Sequence, residues 1–293
     1  MAKTKGKTGR LRHLVQLGFT ALTNSYLAGY MGGTIYTGAF KSACVPGLNC
    51  YSCPGALGSC PIGALQALVG GHKIPFYLLG FLMMVGALLG RSVCGWLCPF
   101  GLVQDLIHKI PFPRRWKGLP GDRWLRYLKY AILMGFVILL PLFVTGDFGQ
   151  SKPWFCMLIC PSGTLLAGLP LVMMNESLQA LVGWLYAWKV GLLLLLLLLS
   201  VIVWRPFCRY LCPLGAIYGL FNPIAAVRFT VEREKCTHCG ACSRACKMGL
   251  PVDHHPNSPE CVRCGDCLRA CPTGAVHLKT PAAARSARRA SEE

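Results

Sequence analysis

Near its C-terminus the chain reads CTHCGACSRACK at residues 236–247 and CVRCGDCLRACP at residues 261–272. Each stretch has the spacing C-x2-C-x2-C-x3-C, in which three thiolates bind one iron–sulfur cube and the fourth binds the cube of the other stretch. The spacing therefore predicts two [4Fe–4S] clusters. The ligands predicted for the first cluster are Cys236, Cys239, Cys242 and Cys271, and those for the second are Cys261, Cys264, Cys267 and Cys246.

A zinc site and a disulfide framework are the alternatives for these eight cysteines. Zinc ribbons use two separated pairs of ligands rather than four closely spaced thiolates, and thiols in a cytoplasmic compartment stay reduced. We therefore predict that residues 226–280 form an α+β ferredoxin domain of the bacterial 2[4Fe–4S] type. Residues 281–293 are predicted to follow it as a basic, disordered tail.

The chain as a whole has the composition of a membrane protein. Of its 293 residues, 54% are hydrophobic and 14% are charged, which is too apolar for an ordinary soluble domain. Four apolar stretches approach the roughly 20 residues that a helix needs to cross a bilayer. The predicted spans are Leu14–Tyr36, Ile74–Leu89, Tyr127–Thr145 and Trp184–Trp204. A fifth stretch, Leu165–Val182, contains Pro170, Asn175 and Glu176, and it is predicted to be a broken helix that does not span.

The positive charges indicate how these spans are oriented. Five Lys and Arg residues precede the first span, eight lie between residues 91 and 129, and thirteen follow from residue 205 onward. The loops at residues 33–73 and 146–183 contain two and one. By the positive-inside rule, both termini and the middle loop are cytoplasmic. Residues 1–225 are therefore predicted to form a multi-pass domain in a prokaryotic cytoplasmic membrane, with the basic charge serving lipid contact and not nucleic acid.

Four Cys-Pro elements recur within the membrane part. They read CPIG from Cys60, CPFG from Cys98, CPSG from Cys160 and CPLG from Cys212. In three of them another cysteine precedes by four residues, a spacing that puts both sulfurs on one face of a helical turn. These preceding residues are Cys94, Cys156 and Cys208. The proline suits the first position of a new helix, whose free N–H groups favour an anionic cluster.

The predicted topology divides these cysteines between the two faces of the membrane. A third [4Fe–4S] cluster is predicted at the cytoplasmic ends of the second and fourth spans, bound by Cys94, Cys98, Cys208 and Cys212. A fourth is predicted on the outer face at Cys53, Cys60, Cys156 and Cys160, with Cys44 and Cys50 as a spare pair. Buried thiols or a redox switch are alternatives for the inner set, and disulfides are one for the outer set. Alternating elements on opposite faces resemble an inverted repeat.

Histidine usage bears on the choice of electron carrier. All seven histidines fall in loops or in the tail of the predicted topology. The predicted spans therefore offer no facing pair of histidines to ligate a b-type haem. We predict iron–sulfur clusters, without haem, as the electron carriers.

Two stretches resemble a known family: CGWLCPFGLVQD at residues 94–105 and CRYLCPLGAIYG at residues 208–219. Together with the double cysteine run, they are similar to the NapH-type polyferredoxin membrane proteins. That family includes the quinol-oxidising subunit of periplasmic nitrate reduction and domains of nitrous-oxide regulators and oxidase-assembly proteins. The resemblance implies an electron-transfer subunit. In it, Cys94, Cys98, Cys208 and Cys212 would form the family's pair of C-x3-C-P elements in the membrane part. The additional outward cysteines fit direct passage of electrons across the membrane better than quinol oxidation.

We therefore predict an electron-transfer subunit of an oxidoreductase complex, which conducts electrons between cytoplasmic ferredoxin clusters and the outer face of the membrane. Its partners would be membrane lipid and redox subunits on both faces, with a quinone or a flavoprotein as candidate electron partners. Two alternatives stay open: a quinol dehydrogenase subunit of an anaerobic respiratory chain, and a redox regulator or metal-centre assembly factor. No residue in the sequence marks a quinone pocket.

Overall fold

The computed structural model describes residues 7–113, 115–144 and 151–280. Within these ranges the protein is a bundle of helices that carries a small domain with a two-stranded sheet at its C-terminal end. The helices of the bundle are α1 Lys7–Thr23, α2 Leu27–Gly32, α3 Pro61–Gly70, α4 Phe76–Leu89, α5 Ser92–Trp96, α6 Pro99–Ile107, α7 Asp122–Phe143, α8 Trp154–Leu158, α9 Pro161–Met174, α10 Glu176–Ala180, α11 Trp184–Ile202, α12 Pro206–Tyr210 and α13 Pro213–Phe221. A 3-10 helix covers Ala39–Ser42. The predicted tail at residues 281–293 lies outside the described residues.

The C-terminal domain has the small α+β form expected of a ferredoxin. Its elements are β1 Arg228–Val231, α14 Ala241–Ala245, α15 Asp266–Ala270 and β2 Val276–Lys279. The two strands pair antiparallel, with Arg228 opposite Lys279 and Val231 opposite Val276. The two helices lie between the strands in sequence, and they pack against each other. This domain therefore agrees with the predicted iron–sulfur fold.

Two helices of the bundle, α7 and α11, are long and apolar enough to cross a membrane. Helix α11 begins at the first residue of the predicted fourth span, and α7 begins five residues before the predicted third span, at Asp122. The predicted second span corresponds to α4, whose 14 residues extend about 21 Å. A bilayer core is about 30 Å thick. The structure thus supports a helical fold with two candidate spans, and the count of four stays a prediction.

The first predicted span, Leu14–Tyr36, is not one continuous helix. It is divided between α1, which already begins at Lys7, and α2, with three residues between the two helices. In that gap the side chains of Asn24 and Ser25 donate hydrogen bonds to carbonyls of the preceding turn, at 3.0 and 3.2 Å. Such bonds compete with the backbone bonds that would continue a helix. The prediction of a single helix was wrong because apolar content alone does not reveal this competition.

Two helices contain a π-helical stretch ahead of a proline. In α7 the stretch is Leu133–Leu139, followed by Pro141, and in α9 it is Thr164–Gly168, followed by Pro170. Proline lacks an N–H group and its ring crowds the carbonyl four residues earlier, so a widened turn relieves the clash. Helix α9 then ends at Met174, and the fifth apolar stretch is therefore broken as predicted.

Each of the four Cys-Pro elements starts a short helix of the bundle, namely α3, α6, α9 and α13. Helix α3 packs against α4 and α7, and α13 packs against the same pair. Helix α6 packs against α1 and α11, and α9 packs against α11. This packing draws the cysteines at the starts of the four helices into the buried core.

Candidate iron–sulfur sites

The C-terminal domain contains two cavities, each lined by four thiols. One is lined by Cys236, Cys239, Cys242 and Cys271, and the other by Cys246, Cys261, Cys264 and Cys267. These are the groups that the spacing predicts, in which the fourth cysteine of each run crosses to the other group. Helices α14 and α15 produce the crossing, since Cys246 and Cys271 directly follow them and are carried away from the preceding loop.

The loops that carry the first three cysteines of each run share an unusual backbone. His238 and Arg263 have φ angles of 50° and 52°, and Gly240 and Gly265 follow two residues later with 66° and 82°. The left-handed region is sparsely used by residues other than glycine and is kept where the surroundings require it. Both loops adopt it at matching positions, so each turns three sulfurs toward one centre.

The two ferredoxin sites differ in their exposure to solvent. Cys239 is exposed, and a hydrogen bond from the backbone N–H of Ala241 lowers the pKa of its thiol. In the other cavity, burial raises the pKa of Cys264 to about 11. The first site therefore includes one solvent-exposed cysteine, whereas the four cysteines of the second are half-buried or buried. We call the two the exposed and the enclosed ferredoxin site.

A third group of cysteines lies where the bundle meets the C-terminal domain. We call it the proximal site, and it consists of Cys94, Cys98, Cys208 and Cys212. All four residues are at most 6% exposed, and Cys212 is close enough to interact electrostatically with each of the other three. The domain docks beside it through Trp96, whose Nε1 donates to the carbonyl of Arg263 at 3.0 Å. The structure thus brings together the cysteines that the sequence predicts for the inner cluster.

The Cys-Pro elements act as helix caps at every occurrence. In each, the cysteine is the N-cap in extended conformation and the proline is the first helical residue. The Sγ atoms of Cys160 and Cys212 accept hydrogen bonds from the backbone N–H groups of Gly163 and Gly215, both at 3.4 Å. The backbone N–H groups of helix N-termini therefore point at the sulfurs, which suits bound anionic clusters.

Two buried arginines clasp the proximal site reciprocally. Nη2 of Arg91 donates to the carbonyl of Cys208 at 2.9 Å, and Nη1 of Arg205 donates to the carbonyl of Cys94. Each arginine lies three residues before the first cysteine of its own hairpin and holds the other hairpin. The sequence predictions did not include these two arginines, although the repeated spacing R-x2-C-x3-C-P is a usable signal for them.

The two arginines are neutralised by carboxylates. Arg205 forms two hydrogen bonds to Asp105, at 2.8 and 2.6 Å, and Arg91 contacts Glu260 at 3.0 Å. Lys129 also pairs with Glu260. Buried charges need such partners, because an unpaired buried charge costs several kcal/mol. Since Glu260 belongs to the C-terminal domain, the Arg91 pair also joins that domain to the bundle.

A fourth group of cysteines lines a cavity of about 240 Å³ away from the C-terminal domain. We call it the distal site, and its thiols are Cys50, Cys60, Cys156 and Cys160. Three of these are the ones predicted for the outer cluster. The predicted fourth, Cys53, does not line the cavity, and its Sγ lies 3.2 Å from the hydroxyl of Tyr30. Cys44 is apart as well, in a β-bridge to Ser59.

A buried glutamine supports each of the two bundle sites in the same way. Gln66 donates from Nε2 to Sγ of Cys156 at 3.2 Å and accepts the backbone N–H of the preceding residue, Phe155, at 2.9 Å. Gln104 donates to Sγ of Cys208 at 3.2 Å and accepts the N–H of Phe207, also at 3.2 Å. Both glutamines end the repeated spacing C-P-x-G-x2-Q, a signal in the sequence from which they could have been predicted. The proximal and distal sites are therefore built on one plan.

The residues of these sites fit [4Fe–4S] clusters. All eighteen cysteines lie among the described residues, and none of them forms a disulfide. In the described ranges, no three His, Cys, Asp or Glu side chains converge on a site sized for one metal ion. Instead, the thiols of the two ferredoxin sites and of the distal site line cavities in groups of four, and those of the proximal site lie together in the buried core. Four thiolates and N–H···S bonds are the donor set that holds and tunes a [4Fe–4S] cluster.

Comparisons with known proteins agree with this geometry. A family model described as a 4Fe-4S binding domain matches residues 59–78, 74–120 and 184–231, and a second model of that description matches residues 229–250. The methylamine utilization ferredoxin-type protein MauN of Methylorubrum extorquens is 32% identical over 241 residues, which cover 81% of this chain and 72% of MauN. The ferredoxin-type protein NapH of Escherichia coli is 27% identical over 193 residues, 64% of this chain and 59% of NapH. No solved structure matches the chain.

Fold and sites together define an iron–sulfur electron-transfer protein of the ferredoxin type, which binds [4Fe–4S] clusters. More particularly, the chain belongs to the NapH-type polyferredoxin family. Its similarity to MauN and NapH shows this membership. Lengths vary among its relatives. The chain spans 48% of YccM of Escherichia coli, with 29% identity over 190 residues.

Proposed function

We propose that this protein conducts electrons across a membrane, between an exposed ferredoxin cluster and a cluster at the distal site. The observation that carries the proposal is the distal group of four thiols, because a surface-tethered ferredoxin would have no use for it. The order of carriers would be the exposed ferredoxin site, the enclosed ferredoxin site, the proximal site and the distal site. Each cluster, when bound, supplies one-electron chemistry.

The enclosed ferredoxin site is connected to the proximal site by protein contacts. Arg91 donates to the carbonyl of Cys208 in the proximal site and, through Nη1, to the carbonyl of Pro259 at 2.8 Å. Pro259 is two residues from Cys261, which lines the enclosed ferredoxin cavity. One side chain therefore touches segments that carry ligands of both sites, which supports electron exchange between them.

The proximal and distal sites are also connected, through Gly47 and Leu48. Gly47 packs against the proximal site, since a Cβ built on Gly47 would lie 3.3 Å from Cα of Cys98. The carbonyl of Leu48 accepts a hydrogen bond from Oγ of Ser162 at 3.2 Å, and Leu48 lines the distal cavity. Two adjacent residues thus contact both sites. This supports direct transfer between them with no intervening cofactor.

The sites lie toward opposite ends of α11. Lys189, near the N-terminal end of the helix, lines the distal cavity, and the chain leaves the C-terminal end through Arg205 into the proximal site. Leu194, Leu195 and Leu198 on this helix are all more than half exposed, as expected for side chains that face lipid. These observations support a bundle that crosses the membrane.

The four-span topology is part of the proposal, with both termini cytoplasmic in a prokaryotic cytoplasmic membrane. Gly9 near the start of α1 lies beside Arg269 of the C-terminal domain, since a Cβ on Gly9 would be 3.2 Å from its guanidinium. This contact supports placing the N-terminus and the ferredoxin domain on one side. The remaining alternatives, a quinol dehydrogenase subunit and an assembly factor or regulator, gain no specific observation from the described residues. A donor would dock at the exposed ferredoxin site and an acceptor at the distal face.

The proposal can be tested with purified protein in sealed vesicles. Anaerobically purified protein should contain about 16 iron atoms per chain, the content of four cubes. An impermeant reductant added outside should then reduce an impermeant dye trapped inside, and a Cys160→Ala variant should lose this transfer while its ferredoxin clusters are still reduced. About eight iron atoms per chain, or a trapped dye that stays oxidised with the wild type, would end the proposal.

A further inference from the structure

We infer that Cys50, and not Cys53, is the fourth ligand of a [4Fe–4S] cluster at the distal site, together with Cys60, Cys156 and Cys160. The inference rests on the proposed function and names the ligands of its last carrier. On binding, each of the four thiols would lose its proton and form a sulfur–iron bond. Cys50 and Cys53 are three residues apart on one loop, so that the sequence alone does not choose between them.

The position of Cys50 places its thiol among the other three. A Cβ built on Gly163 would lie 3.6 Å from Sγ of Cys50 and 3.9 Å from Sγ of Cys160, so that the two sulfurs flank this glycine. Cys50 also interacts electrostatically with Cys60 and Cys156. Gly163 is the third residue of α9, where a side chain would occupy the space between the two sulfurs. The absence of a Cβ therefore leaves room for a group that all four thiols can reach.

Cys53 has a different environment. It is fully buried, its Sγ lies 3.2 Å from the hydroxyl of Tyr30, and it donates to Oδ1 of Asn24 at 3.5 Å. Tyr30 and Asn24 lie on α2 and just after α1, so these contacts tie the loop to the first two helices. The hydrogen-bonding capacity of Cys53 is thus used within the protein, which fits a structural role.

The plan shared with the proximal site explains why a loop must supply this ligand. In the proximal site, Cys94 lies four residues before Cys98 and provides the fourth thiol. The corresponding position before Cys60 is Ala56, which is buried and whose carbonyl accepts a hydrogen bond from Nζ of Lys41 at 2.8 Å. The two hairpins of the distal site therefore supply three thiols, Cys60, Cys156 and Cys160, where four are needed. Cys50 completes the set from the loop that Leu48 anchors on Ser162.

The distal cavity also has the charge that an anionic cluster requires. Lys189 lines it, and the first turn of α9 directs the N–H of Gly163 to Sγ of Cys160. A cube held by four thiolates is negatively charged, and both a cation and a helix N-terminus stabilise it. The site thus combines four thiols, a basic side chain and a backbone donor around one cavity.

The test compares Cys50→Ala with Cys53→Ala in the full-length chain, purified anaerobically. Alanine is chosen because a serine oxygen could itself bind iron. Cys50→Ala should contain about four iron atoms fewer than the wild type, whereas Cys53→Ala should match the wild type. The electron paramagnetic resonance signals of the ferredoxin clusters serve as the control for folding and should be the same in both variants.

Thiol alkylation of the native proteins provides a second, independent measurement. Cys60, Cys156 and Cys160 should become reactive in Cys50→Ala and stay protected in Cys53→Ala, as read by mass spectrometry. Loss of a cluster from Cys53→Ala with full loading of Cys50→Ala would overturn the ligand assignment and leave the conduit intact. A wild type without a distal cluster, or with a disulfide among these thiols, would instead overturn the proposed function and the inference with it.

Discussion

The proximal and distal sites share one frame but complete it differently. In both, a Cys-Pro-x-Gly element caps a helix, and a glutamine on that helix donates to a sulfur of the opposite hairpin. The proximal site takes all four thiols from two C-x3-C-P hairpins, whereas a loop cysteine completes the group at the distal site. A short repeated motif can thus set the frame of a site, while the path of a longer loop decides how it is closed.

The charges around the two sites differ as well. Arg91 and Arg205 beside the proximal site are fully buried and paired with carboxylates, whereas Lys189 at the distal cavity is half-buried. Breaking a buried charge pair is strongly destabilising, while an ion near the surface contributes little. We therefore expect the proximal site to be the more sensitive of the two to substitution.

Replacement of Arg205 should have the largest effect. Arg205→Met removes two hydrogen bonds to buried Asp105 and the clasp on the carbonyl of Cys94. The expected cost is roughly 3 kcal/mol, at the low end for a broken buried pair, because Arg12 still contacts Asp105 at 3.0 Å. Denaturant-induced loss of the cluster absorbance measures it. Lys189→Met is the matched control at the distal site and should cost less than about 1 kcal/mol, so equal midpoints for the two variants would refute the contrast.

The second-largest difference is expected when the glycine at the third position of the capped helix is replaced by alanine at each site. A Cβ on Gly215 would lie 3.2 Å from Nη2 of Arg91 and 3.4 Å from the carbonyl of Cys208, whereas one on Gly63 would meet nothing closer than Sγ of Cys156 at 4.0 Å. Gly215→Ala should therefore cost about 1–2 kcal/mol through overpacking. Gly63→Ala should be close to neutral. Thermal loss of cluster absorbance compares them, and a larger effect for Gly63→Ala would show that the distal site is the tighter one.

The smallest expected effect concerns the two glutamines. Gln66→Leu and Gln104→Leu each remove one N–H···S bond. Such a bond stabilises the reduced form of a cluster, because that form is the more negative one. At about 1 kcal/mol per bond, the reduction potential of the affected cluster should fall by on the order of tens of mV. Redox titration followed by electron paramagnetic resonance measures each shift. A shifted potential for one resonance signal in Gln104→Leu, with no shift for any signal in Gln66→Leu, would show that Cys156 is not a cluster ligand. The proximal and distal sites would then share their protein structure but not a bound cluster.

The sequence pattern was sufficient to predict those structural features that lie within one short segment of the chain. The grouping of the eight ferredoxin cysteines follows from spacing, because a tight loop and a five-residue helix leave the sulfurs little freedom. The Cys-Pro helix starts and α11, with its leucine run, were evident for the same reason. The first span was not, because the side-chain bonds of Asn24 and Ser25 interrupt an otherwise apolar segment.

Tertiary structure alone decided which distant groups meet. Spacing cannot distinguish Cys50 from Cys53, since the direction of each thiol depends on contacts with Ser162 and Tyr30 in other parts of the chain. Arg91 likewise reaches Cys208 across 117 residues of sequence. Bond geometry along the backbone determines local shape, but the relative placement of remote segments follows from packing of the whole bundle. The sequence by itself therefore determined the kind of cofactor, and the fold decided which side chains surround it.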